Sequence, residues 1–195
     1  MNKLNYREIF KIAISGVVFT LIFISMVVFV ADISKDKIVE NERLVLINEL
    51  NQLVVGFDND ILKDSKTKKV VLNGLEQNVI IYSAKRGDKA FARLFKYKTL
   101  KGYSGEIVIL TAVDNNKVIG TRILKHKETP GLGDKIEIKK SKWILAFDGV
   151  KLTDKVWKVQ KRGGDFDSWS GATITPSAVI GAVAGLLQAI ENNDL

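Results

Sequence analysis

The feature that most constrains this chain is an uncharged, apolar run near its N-terminus, residues 12–31. A helix of about 20 residues is long enough to cross the hydrocarbon core of a bilayer. A cleaved signal peptide would have a shorter apolar region, of about 7–15 residues, and a small-x-small cleavage site. Residues 28–31 provide no such site. We therefore predict one transmembrane helix over residues 12–31, preceded by an N-terminal segment, residues 1–11.

The charges that flank this run predict its orientation. Lys3, Arg7 and Lys11 precede it, against the single acid Glu8. Positively charged flanks stay on the cytoplasmic side of a membrane. The chain is thus predicted to be a single-pass protein of the cell (inner) membrane, with a cytoplasmic N-terminus and the rest on the periplasmic or extracellular side.

Two residue types restrict the chemistry. The 195-residue chain has no cysteine, and His126 is its only histidine. Disulfides, cysteine-ligated iron–sulfur clusters and multi-histidine metal sites are therefore excluded. We predict no metal site, and if the protein transfers electrons an organic cofactor carries them.

The net charge of +8 raises the question of a nucleic-acid partner. The lysines alternate with acids, as in residues 35–37 and 63–64, and form no stripe interleaved with aromatic residues. A mixed-sign surface of this kind is typical of a solvated face. We therefore predict no binding to nucleic acid.

The rest of the chain is long enough for one folded domain. Residues 32–60 have loosely spaced apolar positions between charges, which predicts a helical stalk or connector. Two pairs of segments rich in β-branched residues follow, 79–84 with 90–95 and 105–113 with 117–124, each joined by a short turn. Such short connections favour antiparallel pairing. The predicted class is α+β, with a mostly antiparallel sheet and flanking helices in a domain over residues 61–195.

Other segments of this domain are less clear. Residues 157–161 alternate in the manner of a strand, whereas residues 134–141 fit either a short helix or an extended connection. No glycine-rich dinucleotide fingerprint follows a strand, so a Rossmann site is not supported.

Residues 167–176 read Asp-Ser-Trp-Ser-Gly-Ala-Thr-Ile-Thr-Pro and precede an apolar run with helical spacing. Thr175 is a good helix N-cap and Pro176 suits the first helical position. Thr173 is then expected beside a helix N-terminus, where a phosphate is favoured, with little side chain on Gly171 and Ala172 to obstruct it. A capped helix after a serine-rich loop, with no ligand, is the alternative.

The pattern Asp-x-x-Ser-Gly-Ala-Thr-x-Thr over residues 167–175 resembles the flavinylation motif of the FMN-binding domain family. In that family a flavin transferase joins FMN to a threonine hydroxyl through a phosphoester, and the matching threonine here is Thr173. A second stretch, His-Lys-Glu-Thr-Pro-Gly-Leu-Gly over residues 126–133, is similar to the H-x-E-T-P-G-L-G segment of the same proteins. The Gly-Tyr-Ser-Gly turn at residues 102–105 also resembles a glycine-tyrosine turn of the family.

The resemblance implies roles for individual side chains. Glu128 and Thr129 would hydrogen-bond the flavin, Trp169 would lie nearest its ring, and Asp167 would be read by the transferase. His126 is expected at a strand end with no orienting partner. The cofactor-binding set implied by the two motifs is Thr173 (covalent FMN), Ser170, Gly171, Ala172, Thr175, Glu128, Thr129, Leu132, Asp167 and Trp169.

Both motifs, the membrane anchor and the chain length together resemble the G subunits of Rnf-type electron transport complexes. That resemblance implies an electron relay that carries covalent FMN, works with other membrane subunits and has no catalytic residue of its own. The C subunit of the sodium-translocating NADH:quinone reductase shares the motif but is usually longer. A membrane-anchored extracellular binding or scaffold module without flavin, and a free-standing extracellular reductase, are further alternatives.

Overall fold

The computed structural model describes residues 6–195, so Lys3 and the rest of residues 1–5 lie outside the described part. The chain divides into two compact units, Met1–Leu46 and Ile47–Leu195. The helix α1 (Tyr6–Leu53) makes up the described part of the first unit and ends in the second. It is long and apolar enough to cross a membrane, and no residue of its most apolar stretch is buried. The helix continues without a break from the apolar run into the charged stretch after residue 31.

The second unit contains one five-stranded sheet in which every strand pairs antiparallel with its neighbour in the sequence. This arrangement, with helices at both ends of the chain, confirms the α+β prediction. The strands are β1 (Lys66–Leu72), β2 (Leu75–Arg86), β3 (Lys89–Gly102), β4 (Gly105–Asp114) and β5 (Lys117–Lys125).

Strand β1 was not predicted, although the sequence contains its signal. The turn to β2 is Asn73-Gly74, with φ angles of 51° and 82°. Two successive positive φ angles are what a tight antiparallel hairpin requires, and Asn-Gly supplies them at low cost. The lysine-rich composition of β1 hides its pattern, because only Val70 and Leu72 are buried in it.

The C-terminal helix α2 (Ile174–Glu191) packs on the sheet, chiefly on β3. It is also long and apolar enough to cross a membrane, but most of its residues are buried in the domain. Apolar positions that recur at helical spacing make this the central core helix. Its buried aliphatic residues are Ala178, Val179, Ile180, Ala182, Val183, Leu186, Leu187, Ala189 and Ile190.

Between β5 and α2 the chain forms four short 3-10 turns, Gly133–Ile136, Lys142–Phe147, Leu152–Asp154 and Gln160–Arg162. The prediction of a strand over residues 157–161 is wrong. Val159 makes a single parallel bridge to Phe166, and Gly163, with φ of 74°, ends the following 3-10 turn. The alternation arises because Trp157 packs on Phe166, at 5.1 Å between ring centroids, and Val159 enters the core.

Replacing Leu186 with alanine tests the packing of α2. Leu186 has no exposed surface, so Leu186→Ala should lower the free energy of unfolding by about 2–5 kcal/mol. Val71→Thr on β1 is the control, because Val71 is 63% exposed and substitutions at such sites change stability by about 0.5 kcal/mol or less. Urea unfolding of the full chain in detergent measures both, and equal midpoints would contradict the assignment of α2 to the core.

Candidate functional site

Helix α2 begins at Ile174, with Thr173 as its N-cap residue. The prediction that Thr175 caps the helix is wrong, because Thr175 is the second helical residue and its hydroxyl bonds elsewhere. The first helical bond runs from the Ser177 N–H to the Thr173 carbonyl, at 3.2 Å. The N–H groups of Ile174 and Thr175 therefore have no partner within the helix, and Pro176 has no N–H. These two groups and the helix dipole make the end of α2 favourable for an anion.

A tight turn over Trp169–Ala172 leads into this helix. The Ala172 N–H donates to the Trp169 carbonyl at 3.1 Å. Gly171 occupies the third position with φ of 78°, as a type II turn requires. A Cβ built on Gly171 would meet no heavy atom within 4 Å, so open space lies over the turn.

Trp143 fixes the start of the motif from outside the turn. Its Nε1–H donates to the Asp167 carbonyl at 2.8 Å, and its ring lies 5.3 Å from that of Trp169. The Asp167 side chain remains exposed. Asp167 and Trp169 therefore shape the approach to the helix without lining the space over it.

The hydroxyl groups at the start of α2 differ in what they bond. The Thr175 hydroxyl donates to Glu128 Oε2 at 2.6 Å, and the Ser177 hydroxyl donates to the Thr173 carbonyl at 2.7 Å. The Thr173 side chain makes no capping hydrogen bond, and it is half-buried. Of these three hydroxyls, only that of Thr173 is available for chemistry.

Glu128 is 5% exposed and joins three segments. Its Oε1 accepts the Ser104 N–H, in the turn between β3 and β4, at 3.0 Å. Its Oε2 accepts the Thr175 hydroxyl of α2. A Cβ on Gly133 would lie 2.7 Å from Oε2, and one on Gly102 would lie 2.7 Å from Oε1. The two glycines thus leave room for the carboxylate and for little else.

His126 follows β5 directly, as predicted, but the expectation that it has no orienting partner is wrong. Its Nδ1 accepts the Glu128 N–H at 3.0 Å, so in neutral imidazole the ring proton is on Nε2. Nε2 lies 2.6 Å from Glu137 Oε1 and donates to it. No sequence pattern pointed to this pair, because Glu137 lies beyond the Pro-Gly loop. The histidine holds the backbone that carries Glu128.

The β3–β4 turn, the loop after β5 and the start of α2 line a cavity of about 270 Å³ that is open to solvent. The structure places seven of the ten sequence-predicted residues in its wall: Glu128, Thr129, Leu132, Gly171, Ala172, Thr173 and Thr175. The other three, Ser170, Asp167 and Trp169, are not in the wall. Ser170 is exposed on the turn.

Three residues of the cavity wall were not in the predicted set: Tyr103, Gly133 and Ile174. Tyr103 lies in the Gly-Tyr turn at residues 102–105, which the sequence did single out as a family feature. Ile174 carried no signal, because an apolar residue at the start of an apolar helix is expected to be buried. Its side chain is 47% exposed.

Replacing Gly133 with alanine tests the fit around Glu128. The added Cβ would overlap the carboxylate, so Gly133→Ala should lower the free energy of unfolding by about 1–3 kcal/mol. Gly181→Ala is the matched control and should not lower the stability. Its Cβ would meet only Asn73 at 3.7 Å, and alanine favours a helix by about 1 kcal/mol over glycine. Chemical unfolding measures both, and a neutral Gly133→Ala would contradict the tight packing.

Comparison with known proteins agrees with this geometry. The FMN-binding domain family matches residues 102–188, which contain every residue of the cavity wall. Proteins named as the G subunit of an ion-translocating oxidoreductase complex are similar over most of their length. That of Shewanella amazonensis is 40% identical over 90% of this chain and 85% of its own. That of Vibrio atlanticus is 38% identical over 83% and 80%. The Escherichia coli protein is 51% identical over 54% of each chain. The chain therefore belongs to the family of G subunits of ion-translocating oxidoreductase complexes and contains its FMN-binding domain.

Proposed function

We propose that this chain is the electron-relay subunit of a membrane-bound ion-translocating ferredoxin:NAD oxidoreductase complex, and that it carries FMN joined to Thr173 through a phosphoester. Membership of the G-subunit family supports electron transport with FMN as the cofactor. The observation that supports attachment of FMN at Thr173 is the free hydroxyl of this residue, which lies in the cavity wall at the N-terminus of α2.

The end of α2 fits a phosphate. The N–H groups of Ile174 and Thr175 are unpaired within the helix, and the helix dipole adds a positive partial charge. Gly171 leaves open space beside them. A phosphate esterified to Thr173 would therefore lie where the backbone favours negative charge, which supports Thr173 as the attachment residue.

The rest of the cavity fits a flat, largely apolar ring. Tyr103, Leu132 and Ile174 line it and remain 71%, 52% and 47% exposed. We call these three side chains the apolar rim. Large apolar groups that stay exposed around one cavity commonly mark a binding site, and the isoalloxazine ring of FMN is a suitable occupant.

The modest size and the openness of the cavity support the proposal of a covalent link. Sites that enclose a ligand of this size have volumes of about 300–1,000 Å³, whereas this cavity has about 270 Å³ and is open. Only part of FMN would be buried, so non-covalent contacts would hold it weakly. A phosphoester retains the flavin and leaves its outer part accessible to a redox partner.

The side chains around the cavity support a relay and not an independent enzyme. When bound, FMN supplies one- and two-electron redox chemistry. Glu128 and His126 already make hydrogen bonds within the protein, so neither is placed as a general acid or base. We therefore propose no independent turnover, with other membrane subunits of the complex as electron donor and acceptor.

Maturation and location complete the proposal. The exposed Asp167 is available to a flavin transferase on the same side of the membrane. The apolar helix is consistent with anchoring in the lipid bilayer. From the basic residues before it, we propose a cytoplasmic N-terminus and an FMN domain on the periplasmic or extracellular side.

Thr173→Ala tests the attachment. In cells that contain the flavin transferase, the wild-type band on a denaturing gel should fluoresce as flavin, and Thr173→Ala should lose all of that signal because no hydroxyl remains to form the ester. Thr173→Ser and Thr175→Ser keep their hydroxyls and should stay fluorescent. A wild-type band without fluorescence would favour the scaffold alternative, and a fluorescent Thr173→Ala band would place the flavin elsewhere.

The absence of cysteine makes the topology testable with single-cysteine variants. Asp88 lies in the exposed turn between β2 and β3, so Asp88→Cys should react with a membrane-impermeant maleimide in cells whose inner membrane is intact. Lys3→Cys should react only after the inner membrane is permeabilised. The opposite pattern would place the domain in the cytoplasm and exclude this proposal.

A further inference from the structure

We propose that Glu128 is a positioning residue that holds the apolar rim in place and does not itself hydrogen-bond the flavin. This inference rests on the proposed function for the occupant of the cavity, but the contacts that carry it belong to the protein alone. It differs from the sequence-based expectation that Glu128 hydrogen-bonds the flavin directly.

Each segment that touches Glu128 does so next to a rim residue. The Ser104 N–H that bonds Oε1 follows Tyr103. The Thr175 hydroxyl that bonds Oε2 follows Ile174. Gly133, whose position leaves room for the carboxylate, follows Leu132. One side chain thus hydrogen-bonds next to two members of the rim and packs closely against the residue that follows the third.

The carboxylate has little freedom to reach a ligand. It is almost completely buried, and both of its oxygens accept hydrogen bonds from the protein. Gly102 lies on the Oε1 side and Gly133 on the Oε2 side, each too close to admit a Cβ. Turning Glu128 toward a ligand would break both bonds, and a buried group left unsatisfied is costly.

The rim needs such a support because its side chains have little packing of their own. All three are exposed, and two of them lie in loops. Among residues 6–195, Glu128 is the one side chain seen to hydrogen-bond both the β3–β4 turn and α2. Segments with few buried contacts open locally at low free energy, so losing Glu128 should release all three.

A glutamine at this position separates shape from charge. In Glu128→Gln, the amide oxygen can accept the Ser104 N–H and the amide N–H can donate to the Thr175 hydroxyl oxygen. Both bonds are kept, one with reversed polarity. Glu128→Ala removes both bonds, whereas Thr175→Val removes only the bond to α2.

The first test is hydrogen exchange of the full chain in detergent, without flavin, over residues 100–106, 129–135 and 172–178. Glu128→Ala should speed exchange about fivefold in residues 100–106 and 172–178, the factor that one lost net hydrogen bond produces. Residues 129–135 should also exchange faster, because they lose the packing of the Glu128 side chain against Gly133. Glu128→Gln should stay near wild type, and Thr175→Val should affect residues 172–178 alone. Acceleration confined to residues 129–135, no acceleration, or a Glu128→Gln protein as fast as Glu128→Ala would overturn the proposal.

Gln77→Ala is the matched control. Gln77 is also buried and makes two hydrogen bonds, to the Lys98 carbonyl and N–H, at 2.9 and 2.8 Å. It does not line the cavity. Its loss should lower the melting temperature about as much as Glu128→Ala and leave exchange at the rim unchanged. Equal acceleration at the rim in Gln77→Ala would reduce Glu128 to general stability and overturn its positioning role.

The second test uses protein loaded with flavin, with iodide as a quencher of flavin fluorescence. Glu128→Ala should raise the quenching constant above that of Glu128→Gln because the rim no longer covers the ring. These two variants carry the same charge, so repulsion of the iodide anion does not cause the difference. Gln77→Ala should match wild type. A Glu128→Gln protein quenched as readily as Glu128→Ala would show that the two hydrogen bonds do not hold the rim over the ring, and would overturn the proposal. Wild-type protein without covalent flavin would instead refute the proposed function, and the exchange result would still decide the role of Glu128.

Discussion

The buried carboxylate of Glu128 is the constraint on which the candidate site depends. A carboxylate with 5% exposure is tolerated only when its oxygens are hydrogen-bonded, and here the partners come from the β3–β4 turn and from α2. The antiparallel sheet brings that turn and the end of β5 to the same end of the sheet. The packing of α2 brings its N-terminus to the same place. The site is therefore a product of the whole domain and not of either sequence motif alone.

The same contacts explain how one hydroxyl is set apart from its neighbours. Thr175 and Ser177 donate to acceptors within the protein, whereas Thr173 caps the helix through its backbone and keeps its hydroxyl free. The cavity beside it has a volume of about 270 Å³ and is open to solvent. A tether and an accessible ring suit an electron relay, since a partner must approach the flavin and the flavin must not dissociate.

Much of the fold could be predicted from the sequence because it depends on local patterns. The two predicted hairpins, β2–β3 and β4–β5, follow from β-branched runs with short turns, and α2 follows from its helical spacing. The site was predictable only in part, because its contacts join distant residues. Thr175 and Glu128 lie 47 positions apart, so cap preference alone assigned Thr175 the wrong role. The partner of His126 and the exposure of Ile174 likewise depend on tertiary packing.

Peptide mass mapping of the protein from its native membrane tests most directly whether flavin phosphate is esterified to the Thr173 hydroxyl. The peptide that contains residues 167–176 should be heavier by the mass of FMN less one water, and fragmentation should place that mass on Thr173, with Ser170 and Thr175 unmodified. An unmodified peptide, or the added mass on another hydroxyl, would contradict the account.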